Sequence, residues 1–528
     1  MKKTLSLILV LAVLFSFIAI PAALADDDWI TLKVEAYDRS TPGFNVEDCM
    51  QLHYAQENFG DPNHIKLQFV STSRWEEGDL LTTWMGAQSA PDLCMTYSGN
   101  LDGWIQDGAV KPLGALVEEY GANLTAFLGD ELLEYGKKTV DGEEDLYLIP
   151  ARRISVANVG NFIRQDWLDA LNMEAPTTIE GLEAYFAAAK AANLGGEQTI
   201  PFKFDLYKSD PLINVKRFTD PFIEFSKITE EDWVAYYENH EMLPGSKEGY
   251  RWLNKMYNAG YMPEGWEVDD GTLMDQIRIN GYAGFFTEQP DQPWRTDKNF
   301  SIELKKNVGE NAEWVPVNCF ANIEDGRTLH DIYQANGLSV FIPFWVDDDT
   351  AVAAIKYLDW MAQPENMFVL QNGIQGYNYT TVDDKGIPTD PKGTDQVEDA
   401  YKMHAGDICF IANGLWYGDM ETSNAAVANA FPGFEELVEQ SYAYAYTDTW
   451  TDISITVPLD AVTDYNETVK VKQGEFLIKV VTCAEADFDA VYDEYIQNII
   501  DAGADKVIEA RRQAYKDGNW RGTFPYAK

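Results

Sequence analysis

The chain has 528 residues, with 40 Lys and Arg against 86 Asp and Glu, a formal net charge of −46. Such a balance excludes a binder of nucleic acid or anionic membrane, because neutralising phosphate needs basic surface. With 46% hydrophobic and 13% aromatic residues the composition is that of a folded protein rather than a disordered one, and the length points to more than one domain.

Residues 1–25 read as an export signal. Lys2 and Lys3 form a basic start, Leu5 to Ile20 an apolar stretch broken only by Ser6 and Ser16, and Ala23-Leu24-Ala25 a small-x-small cleavage pattern. Cleavage after Ala25 is expected, so that the mature chain begins at Asp26. An uncleaved membrane anchor is the rival reading, disfavoured because the apolar stretch is shorter than the ~20 residues a spanning helix needs. The first cysteine is Cys49, so no lipid anchor on a cysteine at the cleavage point is expected.

Past the signal, Ile30, Leu32, Val34 and Ala36 alternate with polar residues, the period of a half-buried strand ending at Tyr37-Asp38-Arg39. Asp48 to Asn58 is open to a helix, and Ile65, Leu67 and Phe69 alternate as a second strand. Glu76 to Gln88 reads as a helix with Leu80, Leu81, Trp84 and Met85 on one face and acidic residues in its first turn. Pro91 to Tyr97 suits a short buried strand. Another strand, Leu146 to Ile149, runs into Pro150, Ala151 and the pair Arg152-Arg153. A helix follows from Arg164 to Leu171, and Pro176-Thr177-Thr178 is the capped entry to the next. Thr350 to Met361 and a segment carrying Phe488, Val491, Tyr492, Tyr495 and Ile499 are amphipathic helices. Strands alternating with helices predict an α/β fold with covered sheets.

Signals of catalysis are missing. Cys49, Cys94, Cys319, Cys409 and Cys483 are odd in number and far apart, which suits buried thiols better than disulfides or a zinc site. His53, His64, His240, His330 and His404 are isolated, and neither a phosphate-loop nor a nucleophile-elbow motif occurs. Pairs of carboxylates carry no information in so acidic a chain. No catalytic residue, metal or cofactor is expected.

Several stretches, in order and spacing, resemble the bacterial extracellular solute-binding proteins of family 1, in the large subgroup of sugar-binding proteins beside which the alginate-binding proteins fall. They are Tyr37-Asp38-Arg39, Gly60 to Ile65, Ala90 to Leu93, Thr96-Tyr97, Phe162 to Leu168 with Pro176-Thr177-Thr178, Ala312 to Pro316, Ala354 to Trp360, Asn372 to Gly376 and Tyr492 to Tyr495. The resemblance implies a two-lobed periplasmic-binding-protein-like α/β fold, type II, hinged around an interdomain cleft. It places residues 26–152 and about 290–365 in one lobe, and 153–289 and about 366–528 in the other. It further implies a non-enzymatic monomer that captures a carbohydrate, an oligosaccharide, and delivers it to the permease subunits of an ABC transporter. The rivals are the same scaffold carrying a peptide, and a secreted glycosidase. Many relatives carry a calcium loop after the Pro-Thr-Thr helix, whereas Ala191 to Gln198 offers too few oxygen ligands, so no metal is expected here.

A sugar ring has an apolar face and a polar rim, so its site needs flat aromatics beside hydrogen-bonding forks. Tyr37, Arg39 and Tyr97 follow predicted strands, where ligands of open α/β sheets bind. Trp75, Trp294, Tyr377 and Trp416 are further aromatic candidates, as are Trp266, Trp345, Tyr379 and Trp450, although core packing is the usual fate of such residues. Phe286, Glu288 and Trp294 occupy the stretch where relatives return to the first lobe past the ligand. Among the scarce cations Arg74, Arg152 and Arg153 are candidates, the last two open between the cleft and a structural role. Arg164 is expected to pair with Asp166 or Asp169.

Overall fold

The computed structural model describes residues 29–526, apart from 42, 207–210, 270, 296–299 and 389–404. The expected export signal and its cleavage point lie outside them. Alternation in the opening segment does what its period requires. Strand Ile30–Asp38 pairs in parallel with strand Ile65–Ser73, Leu32 opposite Leu67 and Val34 opposite Phe69, all four buried. A parallel bridge from Val34 to Leu93 carries this pair to a four-stranded sheet. Its order is Ala412–Asn413, Ile149–Arg153, Asn336–Phe341 and Cys94–Thr96.

A second four-stranded sheet runs in the order Trp314–Pro316, Gly160–Arg164, Ala283–Glu288 and Ile200–Phe202. Each sheet has its own core. The first gathers Leu32, Phe69, Ile149, Val340, Tyr357, Met367, Leu370 and Ile411. The second gathers Phe162, Phe186, Phe285, Leu304, Trp314, Phe476 and Tyr492. A smaller core holds Phe225, Trp233 and Trp450 beside the parallel strands His330–Ile332 and Thr449–Thr451.

Most expected helices form, one with its expected Thr cap. Thr178 accepts a bond from Gly181 N to start helix Ile179–Ala192, and Asp347 accepts one from Thr350 N to start Asp348–Met361. Phe488, Tyr492 and Ile499 are buried along helix Phe488–Ile499. That helix packs on Asp460–Thr482, which is 23 residues long and lacked a clear apolar stripe in the sequence.

One expected strand divides in two. Leu146 ends the hairpin strand Glu143–Leu146, and a new strand starts at Ile149. The break falls where Tyr147 N and Leu148 N both turn to Gly136 O. Pro150 is tolerated inside the second strand because Ala412 pairs only from Arg152 onward, so the missing N–H forfeits no ladder bond.

Candidate ligand-binding cleft

Three chain segments running between the two cores lie side by side. Arg153 N donates to Ala335 O (2.8 Å), Ile154 N to Asn413 O (3.0 Å) and Tyr333 N to Val156 O (2.9 Å). Against them opens a cavity of about 320 Å³. Arg153, Tyr333 and Asn413 line it together with Gln289, Asp291, Arg295, Phe431 and Tyr442. Gln289 to Asp291 stand just beyond the carboxyl end of strand Ala283–Glu288, where backbone leaves the sheet and side chains are free to converge.

Arg153 is fixed for display. Its guanidinium carbon lies 4.3 Å from the centroid of the Tyr333 ring, and its Nε donates to Asn336 O at 3.2 Å. Arg153 is also one of the residues lining the cavity. Asn413 Nδ2 donates to the Tyr97 hydroxyl at 2.5 Å, which carries the wall outward. Tyr97, 43% exposed, is one plate of a stack in which the Arg74 guanidinium lies 4.9 Å from its ring and 5.0 Å from that of Tyr37. Trp75, 78% exposed, lies 5.9 Å from the same guanidinium. Arg74 has no ion-pair partner among the described residues, so stacking rather than charge pairing orients it.

Of the residues singled out in sequence, Arg153 lines the cavity, while Arg74, Trp75 and Tyr97 form a stack joined to its rim through the bond from Asn413 to the Tyr97 hydroxyl. The others are placed elsewhere. Tyr37 is fully buried, its hydroxyl toward Met95 O at 3.4 Å, and only its ring face meets Arg74. Arg39 forms a fork with the Asp407 carboxylate, Nε at 2.6 Å and Nη2 at 3.0 Å. Arg152 turns away from its neighbour: Nη2 donates to Phe127 O and Leu128 O, at 2.6 and 2.7 Å, where Gly129 at φ 74° breaks the helix and leaves those carbonyls unpaired. Trp416 packs edge-on against Phe127 and over Arg152.

Phe286 is a core residue, against Phe162 and Trp314. Trp294, 4% exposed, packs edge-on to Phe162. Glu288 is half-buried near Arg278 (3.7 Å) and Lys203 (3.8 Å). Tyr377 is 51% exposed and does not line this cavity. Arg164 pairs with Asp166 through two bonds of 2.8 and 2.6 Å, as expected.

Sequence reasoning missed Tyr333, Asn413 and the Gln289–Asp291 turn. The dipeptide Asn413-Gly414 and the proline-punctuated run after Glu288 were the available signals, since turns beyond strand ends carry binding groups. No group of three or more His, Cys, Asp or Glu side chains is poised to hold a metal among the described residues. In the loop after helix Ile179–Ala192, Lys190 Nζ donates to Thr199 O at 2.8 Å, a cation already occupying an oxygen there.

No protein-family model matches the sequence, and a search of curated proteins finds no match. Solved structures do match. A solute-binding protein of Bifidobacterium longum infantis, associated with an ABC transporter and named for binding HMO, superposes with TM-score 0.66 at 15% identity over 93% of this chain and 100% of its own. The chain has the two-lobed fold of a solute-binding protein. The alginate-binding protein AlgQ2, solved without calcium, matches with TM-score 0.61 at 18% identity, over 93% of this chain and 99% of its own. The S. pneumoniae ABC-transporter protein FusA, in complex with kestose, matches with TM-score 0.63 at 16% identity, over 92% and 99%. These neighbours are binding proteins rather than enzymes. Among the described residues no helix is long and apolar enough to cross a membrane.

Proposed function

We propose that the chain is the exported substrate-binding component of an ABC import system, which captures a carbohydrate between two lobes and delivers it to a membrane permease. The observation that carries this reading is the run Trp75, Arg74, Tyr97, Asn413, Arg153, whose last two members line the cavity. It joins exposed aromatic faces to oriented hydrogen-bond donors beside an open cavity, the pairing that a sugar ring with its apolar face and polar rim requires. In this reading the lobes follow the two cores. One takes residues up to about 153 with about 336–416, the other about 160–320 with about 428–526, a different division from that expected in sequence. The crossing segments near Arg153, Tyr333 and Asn413 are the hinge that closes on ligand. Lys2 to Ala25 supports export with cleavage before Asp26.

A thermal-shift screen over oligosaccharides and peptides, followed by calorimetry, tests the reading, because a ligand of the folded state raises the midpoint. A sugar that stabilises the protein and is recovered unchanged supports it. Stabilisation by peptides alone, or appearance of cleaved sugar, overturns it.

A further inference from the structure

Behind the crossing segments lies a second gap, of about 250 Å³. Tyr333 lines the cavity already described, whereas Gln334 and Asn336 line this gap, as alternate residues of an extended run do. Tyr135 and Lys138 bound the gap from the side of the first core, Ser454 and Arg521 from the other. Gln334 Nε2 donates to Asp452 O (2.9 Å) and Ser454 Oγ (2.8 Å), which ties the crossing run to that second wall.

Arg521 bridges the gap. Its Nη2 donates to Glu134 O at 3.2 Å, and its guanidinium carbon lies 4.3 Å from the centroid of the Tyr135 ring. No carboxylate pairs with Arg521 among the described residues, and that of Glu134 holds Lys137 at 2.7 Å instead. Each end is fixed in its own half of the molecule. Arg521 sits in the short strand Trp520–Arg521, opposite Ser454 and Ile455, and the next residue, Gly522 at φ 125°, runs so near Asp452 O that a Cβ would stand 2.5 Å from it. Beyond it Tyr526 stacks on Phe225 at 4.5 Å, in the smaller core that also holds Trp233. On the other side Gly136 O accepts from Tyr147 N and Leu148 N, which pins the turn carrying Tyr135.

A stack on a ring and one bond to a carbonyl act only at short range, unlike an ion pair, so a displacement of about 2 Å abolishes both. Rotation about the crossing segments that narrows the cavity in front widens the gap behind. Resting on the hinged reading above, we propose that Arg521, held by Tyr135 and Glu134 O, is a strap that keeps the lobes apart at rest and is released when the cleft closes. Ligand then selects a state that the strap disfavours, and the affinity measured is the intrinsic one reduced by the fraction of molecules whose strap is released.

The test uses the whole protein and starts without ligand. Spin labels on Glu144→Cys and Lys516→Cys, one in each lobe and both exposed, report the width of the gap in a Cys483→Ser background, the other four cysteines being buried. Arg521→Ala should shift the distance distribution to longer separations, and Tyr135→Phe, which keeps the ring face, should leave it at that of the parent. An Arg521 that only supports the fold would lower the melting midpoint with distances unchanged; that result, or a shift to shorter separations, overturns the strap. Should Arg521→Ala fail to fold, Arg521→Met, of similar length but without charge or donors, takes its place. Calorimetry with neutral and acidic oligosaccharides of two to five units is the second arm. Any that binds the parent should bind the Arg521 variant about three- to tenfold tighter. Affinity unchanged within twofold, or weaker, overturns the strap and leaves the carbohydrate reading standing. Failure of every oligosaccharide to bind overturns that reading, while the label distances still decide the strap.

Discussion

Arg153 lies with its guanidinium carbon 4.3 Å from the centroid of the Tyr333 ring, which places a cation and an aromatic face where the chain passes between its two cores. Its neighbour Arg152 does the opposite and binds carbonyls of the helix break at Phe127 and Leu128. Adjacent strand residues point to opposite faces, so one of the pair had to turn inward.

The two arginines should therefore separate in mutagenesis. Arg153→Ala should weaken ligand by about 1–3 kcal/mol, the scale of losing hydrogen bonds to a charged donor, with little change in melting. Arg152→Ala should leave intrinsic affinity intact and lower stability by a similar amount, because two carbonyls lose their donor. Calorimetry and denaturant unfolding on the same preparations check both.

Phe286 should behave as a core residue. Replacement by Ala should destabilise the fold by about 3–5 kcal/mol through lost burial and the cavity left against Phe162 and Trp314. Affinity per folded molecule should not move. An unfolding curve with unchanged midpoint would contradict this placement.

Glu35 makes stability depend on pH. Burial raises its carboxyl from 4.5 to about 8, with neighbouring Glu77 adding to the rise and the bond from Met95 N opposing it. The folded chain thus holds this proton more tightly than the unfolded chain. Below about pH 4.5 the group is protonated in both states; as pH rises toward 8 only the unfolded state loses its proton freely, so stability falls, and it levels off above. Glu35→Gln, which can still accept from Met95 N, should flatten that fall and be more stable than the parent at pH 8. Urea unfolding across this range measures it.

Chelator should leave the melting midpoint unchanged, and added calcium should not raise it. The Lys190 ammonium on Thr199 O occupies the loop with a fixed charge, and no cluster of metal-binding side chains exists among the described residues. A midpoint lowered by chelator would show that a cation contributes to the fold.

Much of the architecture was legible from local rules. The alternation of Leu32 and Val34, the Thr178 cap and the Phe488 to Ile499 stripe each depend on residues close in sequence, and each formed as expected. Arg164 with Asp166 was equally local. Helix Asp460–Thr482 was hidden because its burial against Phe488–Ile499 is a tertiary matter.

By itself the sequence determined an acidic α/β protein with hydrophobic patterning for covered sheet structure and no signal of catalysis, because charge, period and capping are properties of residues near one another in the chain. Which aromatics and cations face the cleft was decided only in three dimensions. Tyr37 and Phe286 look as suitable for a sugar as Trp75 and Tyr97 until the packing of distant strands buries the first two and leaves the others exposed. Arg39 and Arg153 look alike until Asp407 reaches the one and Tyr333 the other, since a side chain's free donors depend on partners that the fold brings from far along the chain.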